Sequence, residues 1–118
     1  TTMLALRPIK LAAQPTLETA QTDGQFDGIW RVEFANNDFC VEKSRIRLWA
    51  VRQGVVKGGK SEGMVSNTGE VRVTWPDLID PTLTCVGSAK LQGGHGEGKW
   101  NSPRACGGVL TLTQVSGP

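Results

Sequence analysis

The stretch Ile29-Trp-Arg-Val-Glu-Phe-Ala35 decides the fold class of this chain. Apolar and charged residues alternate along it with a period of two, which is typical of a strand with one buried and one solvated face. The residues predicted to point inward are Trp30, Val32 and Phe34. Asn36-Asn-Asp38 follows as a turn signal by composition. This stretch therefore predicts a half-buried antiparallel strand.

Further segments of strand length follow along the chain, and turn residues or short loops separate them. The second segment, 45–51, alternates like the first, and we expect it to bury Ile46, Leu48 and Ala50. The remaining segments are 55–58, 64–66, 70–75, 83–92, 96–100 and 107–115. Links of hairpin length favour an all-β, eight-stranded antiparallel meander. We expect it to close into a barrel or flattened barrel, because closure removes exposed strand edges.

The first 26 residues differ from this pattern. Pro8 and Pro15 argue against a long helix, and a polar tract follows the second proline. We interpret residues 1–26 as a flexible N-terminal arm or linker with one short helical turn around 16–20, and residues 27–118 as a single barrel domain. The chain opens without an initiator Met, so a removed secretion signal is compatible with the sequence.

Composition argues against several functional classes. The net charge is only +2, which is too weak to favour nucleic-acid binding. No apolar run approaches the roughly 18 residues of a membrane-spanning helix. Four Trp and three Phe must supply the large apolar surfaces, since Tyr is absent. The sequence therefore predicts no nucleic-acid partner and no transmembrane segment, and leaves the oligomeric state open.

The three cysteines are Cys40, Cys85 and Cys106, and no CxxC spacing occurs among them. With a single histidine in the chain, zinc binding is not expected. One disulfide and one thiol in an oxidising compartment is the favoured interpretation, and three reduced thiols in the cytosol is the alternative. In an up-and-down meander all three cysteines lie at one end, and the eighth strand lies beside the first. This geometry favours Cys40–Cys106 and leaves Cys85–Cys106 as the second possibility.

No motif indicates catalysis or a cofactor. Gly94-His-Gly-Glu-Gly98 is superficially similar to a phosphate-binding loop, but no helix pattern follows it, so a tight hairpin is the better interpretation. His95 lies on a polar turn without an evident partner, the serines lack a nucleophile elbow, and the carboxylates are scattered. We therefore predict a protein that is not an enzyme and has no cofactor and no metal site.

A candidate binding surface comes from the residues predicted to face outward on the first two strands. Arg31, Arg45 and Arg47 cluster there, with Trp49 continuing the same face as a stacking surface for an anionic partner. The alternative is a solvated barrel exterior whose arginines are neutralised by Glu33 and Glu42. The N-terminal arm covering the exposed Trp49 is a further possibility. An exposed tryptophan favours an interface with a protein or ligand.

The chain also resembles known groups of proteins. Its Phe26-Asp-Gly-Ile-Trp-Arg-Val32 start, its Val55-Val-Lys-Gly58 and Gly63-Met-Val-Ser66 hairpin, and its Gly96-Glu-Gly-Lys-Trp100 segment followed by Cys106-Gly-Gly108 resemble small exported proteobacterial β-domains of undefined function. That resemblance covers about residues 26–115 and implies export and a barrel-like fold, but no site.

A second resemblance is to the periplasmic metalloprotease-inhibitor barrels. It depends on the early Gly28-Ile-Trp30, the expected eight strands, one disulfide and the N-terminal arm. In that family the arm enters the protease cleft. We therefore expect a noncatalytic periplasmic or secreted β-barrel domain that binds a protein or small ligand. The alternative is a periplasmic protease inhibitor acting through the arm, and a lipocalin-like carrier is disfavoured because large aromatic residues would fill the barrel.

Overall fold

The computed structural model describes residues 24–42 and 44–117, and this part of the chain is all-β. Eight antiparallel strands pair in sequence order into a closed barrel, which confirms the predicted fold class. The predicted helical turn around 16–20 and most of the arm lie outside the described residues. The strands are β1 (Gly28–Asn36), β2 (Ser44–Arg52), β3 (Val55–Gly58), β4 (Ser61–Val65), β5 (Glu70–Pro76), β6 (Thr84–Gln92), β7 (His95–Asn101) and β8 (Gly107–Ser116).

The seam of the barrel lies between β1 and β8, which pair along almost their whole lengths. One register shift between Ile29 and Trp30 marks an irregularity in this ladder. Gly28, just before it, has a φ of +132° and lies against the Ser116 carbonyl. A side chain has neither the conformational freedom nor the space at this position, so the start of β1 requires glycine.

Aromatic rings fill the interior. Phe34 packs edge-on against Trp49, Trp75 and Trp100, with ring centroids 6.4, 5.7 and 5.8 Å away. Such edge-to-face contacts are favourable because the positive edge of one ring meets the negative face of the next. The inner space is therefore occupied by side chains, as in other small eight-stranded barrels.

Phe26 lies at the far end of the barrel, where β1 begins. It is buried, and its carbonyl accepts a 2.9 Å hydrogen bond from the Trp30 indole. The segment before β1 forms a turn in which the Asp27 N–H donates a hydrogen bond to the Gly24 carbonyl. Phe26 is thus part of the buried core, and the turn at 24–27 leads directly into β1.

The inward face predicted for β2 is wrong. Ile46 and Leu48 are 52% and 60% exposed, whereas Trp49 is 1% exposed. Trp49 lies directly opposite the inward-facing Trp30 on β1, and directly opposite residues of a ladder share one face. Each of the two sets of alternate residues along β2, which we call its two phases, includes apolar side chains. The observed phase buries the set with the larger indole ring of Trp49. Trp49 is therefore a core residue and is not available as a stacking surface.

A disulfide joins Cys40 to Cys106 across the β1–β8 seam, as predicted from the meander. Cys40 lies in the loop after β1, and Cys106 lies just before β8. Cys85 is a free, buried thiol at the start of β6. The strand directions favoured this pairing over Cys85–Cys106, because Cys40 and Cys106 lie on either side of the seam.

Candidate functional site: a basic notch at the disulfide end

The barrel wall has a notch at its disulfide end because the β3–β4 hairpin is short. β2 pairs with β3 only through Ala50–Arg52, and β5 pairs with β4 no further than Thr74. The first half of β2 and the last residues of β5 therefore extend beyond the hairpin. We call the resulting cleft of about 210 Å³ the notch; its defining residues are Arg45, Arg47, Leu48, Lys60, Trp75 and Leu78.

The notch is cationic. Arg45, Arg47 and Lys60 line it, and none of its lining residues within the described part of the chain is Asp or Glu. Arg47 and Lys60 are exposed, so water screens their charges in part. Arg45 is different, because its side chain is only 9% exposed. The notch therefore combines the buried positive charge of Arg45 with the two exposed, hydrated charges of Arg47 and Lys60.

The Arg45 guanidinium has incomplete compensation for its burial. It lies 4.5 Å from the centroid of the Phe34 ring, and its nearest carboxylate oxygen, on the half-exposed Glu42, is 3.8 Å away. Its Nε–H is buried without an acceptor among the described residues. Burial, with the neighbouring Arg47 charge, lowers the Arg45 pKa from its usual value. An anion in the notch could accept a hydrogen bond from the Arg45 guanidinium, and its negative charge would raise the Arg45 pKa again.

Beside the notch, Asp77 forms a closed polar cluster. Arg104 donates to it from Nε at 2.6 Å and from a terminal nitrogen at 3.2 Å, and Ser102 Oγ donates at 2.8 Å. The backbone N–H groups of Ile79 and Asp80 donate at 3.0 Å each. These contacts, Arg104 foremost, hold the Asp77 pKa well below its usual range. The cluster fixes the β5–β6 loop that forms one side of the notch.

Exposed apolar side chains surround this end of the barrel. Phe39 and Val41 lie in the loop after β1, and Leu78 and Ile79 lie in the β5–β6 loop; each is more than half exposed. Leu48 flanks the notch on the β2 side. Groups of large exposed apolar residues mark interaction sites on many protein surfaces. We call these five residues, together with Ile46, the apolar rim.

The structure divides the candidate surface predicted from sequence. Arg31 lies on the outer wall and forms an ion pair with Glu33 at 3.0 Å. This agrees with the alternative prediction of a solvated barrel exterior. Arg45 and Arg47 share the phase of Trp49 and reach the notch instead. Only two of the four predicted residues thus belong to one site, because the phase of β2 is opposite to the one expected.

Sequence reasoning missed Lys60, Trp75 and Leu78 as neighbours of these arginines. The available signal was a difference in length: β2 has nine residues and β3 has four, so the hairpin cannot cover all of β2. The apolar pair Leu78-Ile79 in the one longer loop was a second signal. Neither signal shows which side chains face the gap, because that depends on the register between β2 and its neighbouring strands.

Three groups of the described residues with potential catalytic chemistry, His95, Cys85 and Asp77, lie apart from the notch or have other partners. His95 lies at the start of β7, at the opposite end, where its Nε2 is 3.5 Å from Glu97. Burial raises the pKa of the Cys85 thiol, so the thiolate is disfavoured. Asp77 is occupied by Arg104. Within residues 24–42 and 44–117, no group of three or more His, Cys, Asp or Glu side chains is placed to hold a metal ion.

Comparisons with known proteins identify no relative. No protein-family profile, no curated protein and no solved structure matches the chain. The resemblances to exported proteobacterial domains and to metalloprotease inhibitors therefore stay predictions. None of the described residues forms a helix with the length and apolarity needed to span a membrane. The site must be interpreted from its own chemistry.

Proposed function

We propose that this chain is a noncatalytic, exported β-barrel domain that binds a protein or small ligand by an anionic group in the notch. The observation that carries the proposal is the buried Arg45 guanidinium, with an Nε–H that has no acceptor among the described residues. A charge removed from water normally acquires a full set of partners. Glu42, at 3.8 Å, is too far away for a hydrogen bond to Arg45, and an anionic ligand would supply a hydrogen-bonded negative charge.

The surroundings of Arg45 support a ligand with an apolar part. Trp75 and Leu78 line the notch beside the charged residues, and Leu48 and Leu78 of the apolar rim border it. Sites with a few polar groups set among aromatic and aliphatic side chains are the usual form of a ligand pocket. Export is supported by the Cys40–Cys106 disulfide, because disulfides persist mainly in oxidising compartments.

A titration with hexanoate tests this proposal. The binding of this small apolar carboxylate is followed by tryptophan fluorescence at constant ionic strength, with hexanol as the uncharged control. Arg45→Met is expected to weaken hexanoate binding about tenfold or more, because a hydrogen-bonded ion pair contributes about 1.5–3 kcal/mol. Arg31→Met is the matched control, since Arg31 lies on the outer wall, and it should leave the affinity unchanged.

Two results would overturn the proposal. One is the absence of saturable hexanoate binding by a folded protein. The other is an equal loss of affinity in the Arg31 and Arg45 variants, which would mean that only net charge matters. The alternative of a protease inhibitor acting through the arm is not favoured by any observation, because residues 1–23 lie outside the described part of the chain.

A further inference from the structure

We propose that the ligand of the notch is an extended acidic peptide segment, which binds as an added strand on the free edge of β2 between Ser44 and Leu48. This inference rests on the proposed function and deepens it, since it names the chemistry of the ligand. Its basis is a gap in strand pairing that coincides with the cationic lining of the notch.

The first half of β2 has a strand partner on one side only. β1 pairs with it along Ser44–Val51, whereas β3 ends at Gly58. Among the described strands, none pairs with Ser44–Trp49 on the side of the notch. From Ser44 to Leu48 this edge is about 13 Å long, enough for a short peptide strand. Exposed edges of this kind are templates for pairing with another chain.

The backbone of this edge faces the notch. The Leu48 carbonyl oxygen lies 2.6 Å from the position that a Cβ atom on Gly58 would occupy, so it points toward the hairpin side. Every second residue of a strand presents its N–H and C=O to the same edge. Ile46 therefore presents its N–H and C=O there too. Its carbonyl accepts a 3.3 Å hydrogen bond from the Arg47 guanidinium rather than from a strand.

The side chains of β2 select the peptide sequence. Arg45 and Arg47 belong to the inward phase, while Ile46 and Leu48 belong to the outward phase. Residues directly opposite each other in a ladder have neighbouring side chains on the same face. A strand placed on this edge would thus set alternate residues beside the arginines and the others beside the aliphatic pair. The matching pattern is acidic and apolar residues in alternation.

The opposite side of the notch is less suited to pairing. It ends in Pro76, which has no N–H to donate. The chain's own N-terminal segment is also a poor occupant, because residues 1–23 have no net charge, with Arg7 and Lys10 against Glu18 and Asp23, and contain no stretch in which acidic and apolar residues alternate. Charge complementarity therefore favours a separate acidic peptide. On binding, a peptide N–H would replace Arg47 at the Ile46 carbonyl and free that guanidinium for an acidic side chain.

The test is isothermal titration of the full chain with the blocked peptide acetyl-TVEVEVT-amide. Four control peptides separate the contributions: one has lysines in place of both glutamates, one has glutamines in place of both, and two keep the original sequence but are N-methylated at the alternate backbone nitrogens of one edge or of the other. We expect about tenfold weaker binding or more for each altered charge pattern. One of the two N-methylation patterns should weaken binding to the same degree, since only one peptide edge faces β2.

The outcomes distinguish this inference from the proposed function. If hexanoate binds in an Arg45-dependent way but neither N-methylation pattern affects the peptide, the proposed function stands and strand addition is wrong. Equal binding of the lysine peptide would also overturn the inference. If neither hexanoate nor any peptide binds, both proposals fail. Sedimentation of the free chain tests a second copy as occupant: a dimer that the peptide does not dissociate overturns the inference.

Discussion

Trp49 and Leu48 are neighbours on β2 with opposite environments, and replacing each by alanine tests the phase of this strand. Trp49 is 1% exposed and contacts the rings of Phe34 and Trp75, whereas Leu48 is 60% exposed. We expect Trp49→Ala to lower the free energy of unfolding by about 3–5 kcal/mol. Burial of a tryptophan side chain, about 150–250 Å² at about 25 cal/mol per Å², gives a similar value.

Leu48→Ala should change the stability by less than about 0.5 kcal/mol, as is usual for surface positions. Trp49→Phe is a third variant, in which a smaller ring remains and an indole N–H that has no acceptor among the described residues is removed. It should cost about 1–2 kcal/mol, because the lost volume is partly offset by the removal of a buried, unsatisfied donor.

The measurement is urea unfolding followed by far-ultraviolet circular dichroism, which does not depend on the altered fluorophore. Thermal unfolding provides a second readout, with a fall of about 3–6 °C per kcal/mol for a domain of this size. The reasoning would be refuted if Leu48→Ala were the more costly substitution, or if both variants were as stable as the parent. Either result would mean that β2 presents its other face to the core.

Two further predictions concern the disulfide end of the barrel. Replacing Cys40 and Cys106 together by serine should lower the unfolding free energy by about 4 kcal/mol in urea, because the bridge closes a loop with a sequence separation of 66; an unchanged midpoint would contradict this. Asp77→Asn should cost about 2 kcal/mol at neutral pH, since it loses charged hydrogen bonds to Arg104 and its neighbours. Arg104 lowers the Asp77 pKa in the folded state, so below pH of about 4 the unfolded chain binds the proton first and this contribution declines. The gap between parent and variant should therefore narrow as the pH falls, and a gap that widens would show that Asp77 is not ionised in the fold.

The site was only partly predictable, and β2 shows why. In β1 both charged residues, Arg31 and Glu33, lie in the same phase, so the pattern alone determines the buried face. In β2 both phases carry aliphatic or aromatic residues, so alternation identifies a strand but does not orient it. The register with β1 orients it, and this register depends on contacts distant in sequence. The same error placed Arg45 and Arg47 on the outer wall beside Arg31.

From the sequence alone the strand order and a closed barrel could be predicted, and Cys40–Cys106 was favoured over Cys85–Cys106. These follow from local signals, because alternation defines strands, turn residues separate them, and strand directions place the cysteines. The buried face of β2, the gap beside the short β3–β4 hairpin and the contact between Asp77 and Arg104 could be seen only in the three-dimensional structure. These features depend on register, relative strand length and loop packing, which bring together residues that no local pattern connects.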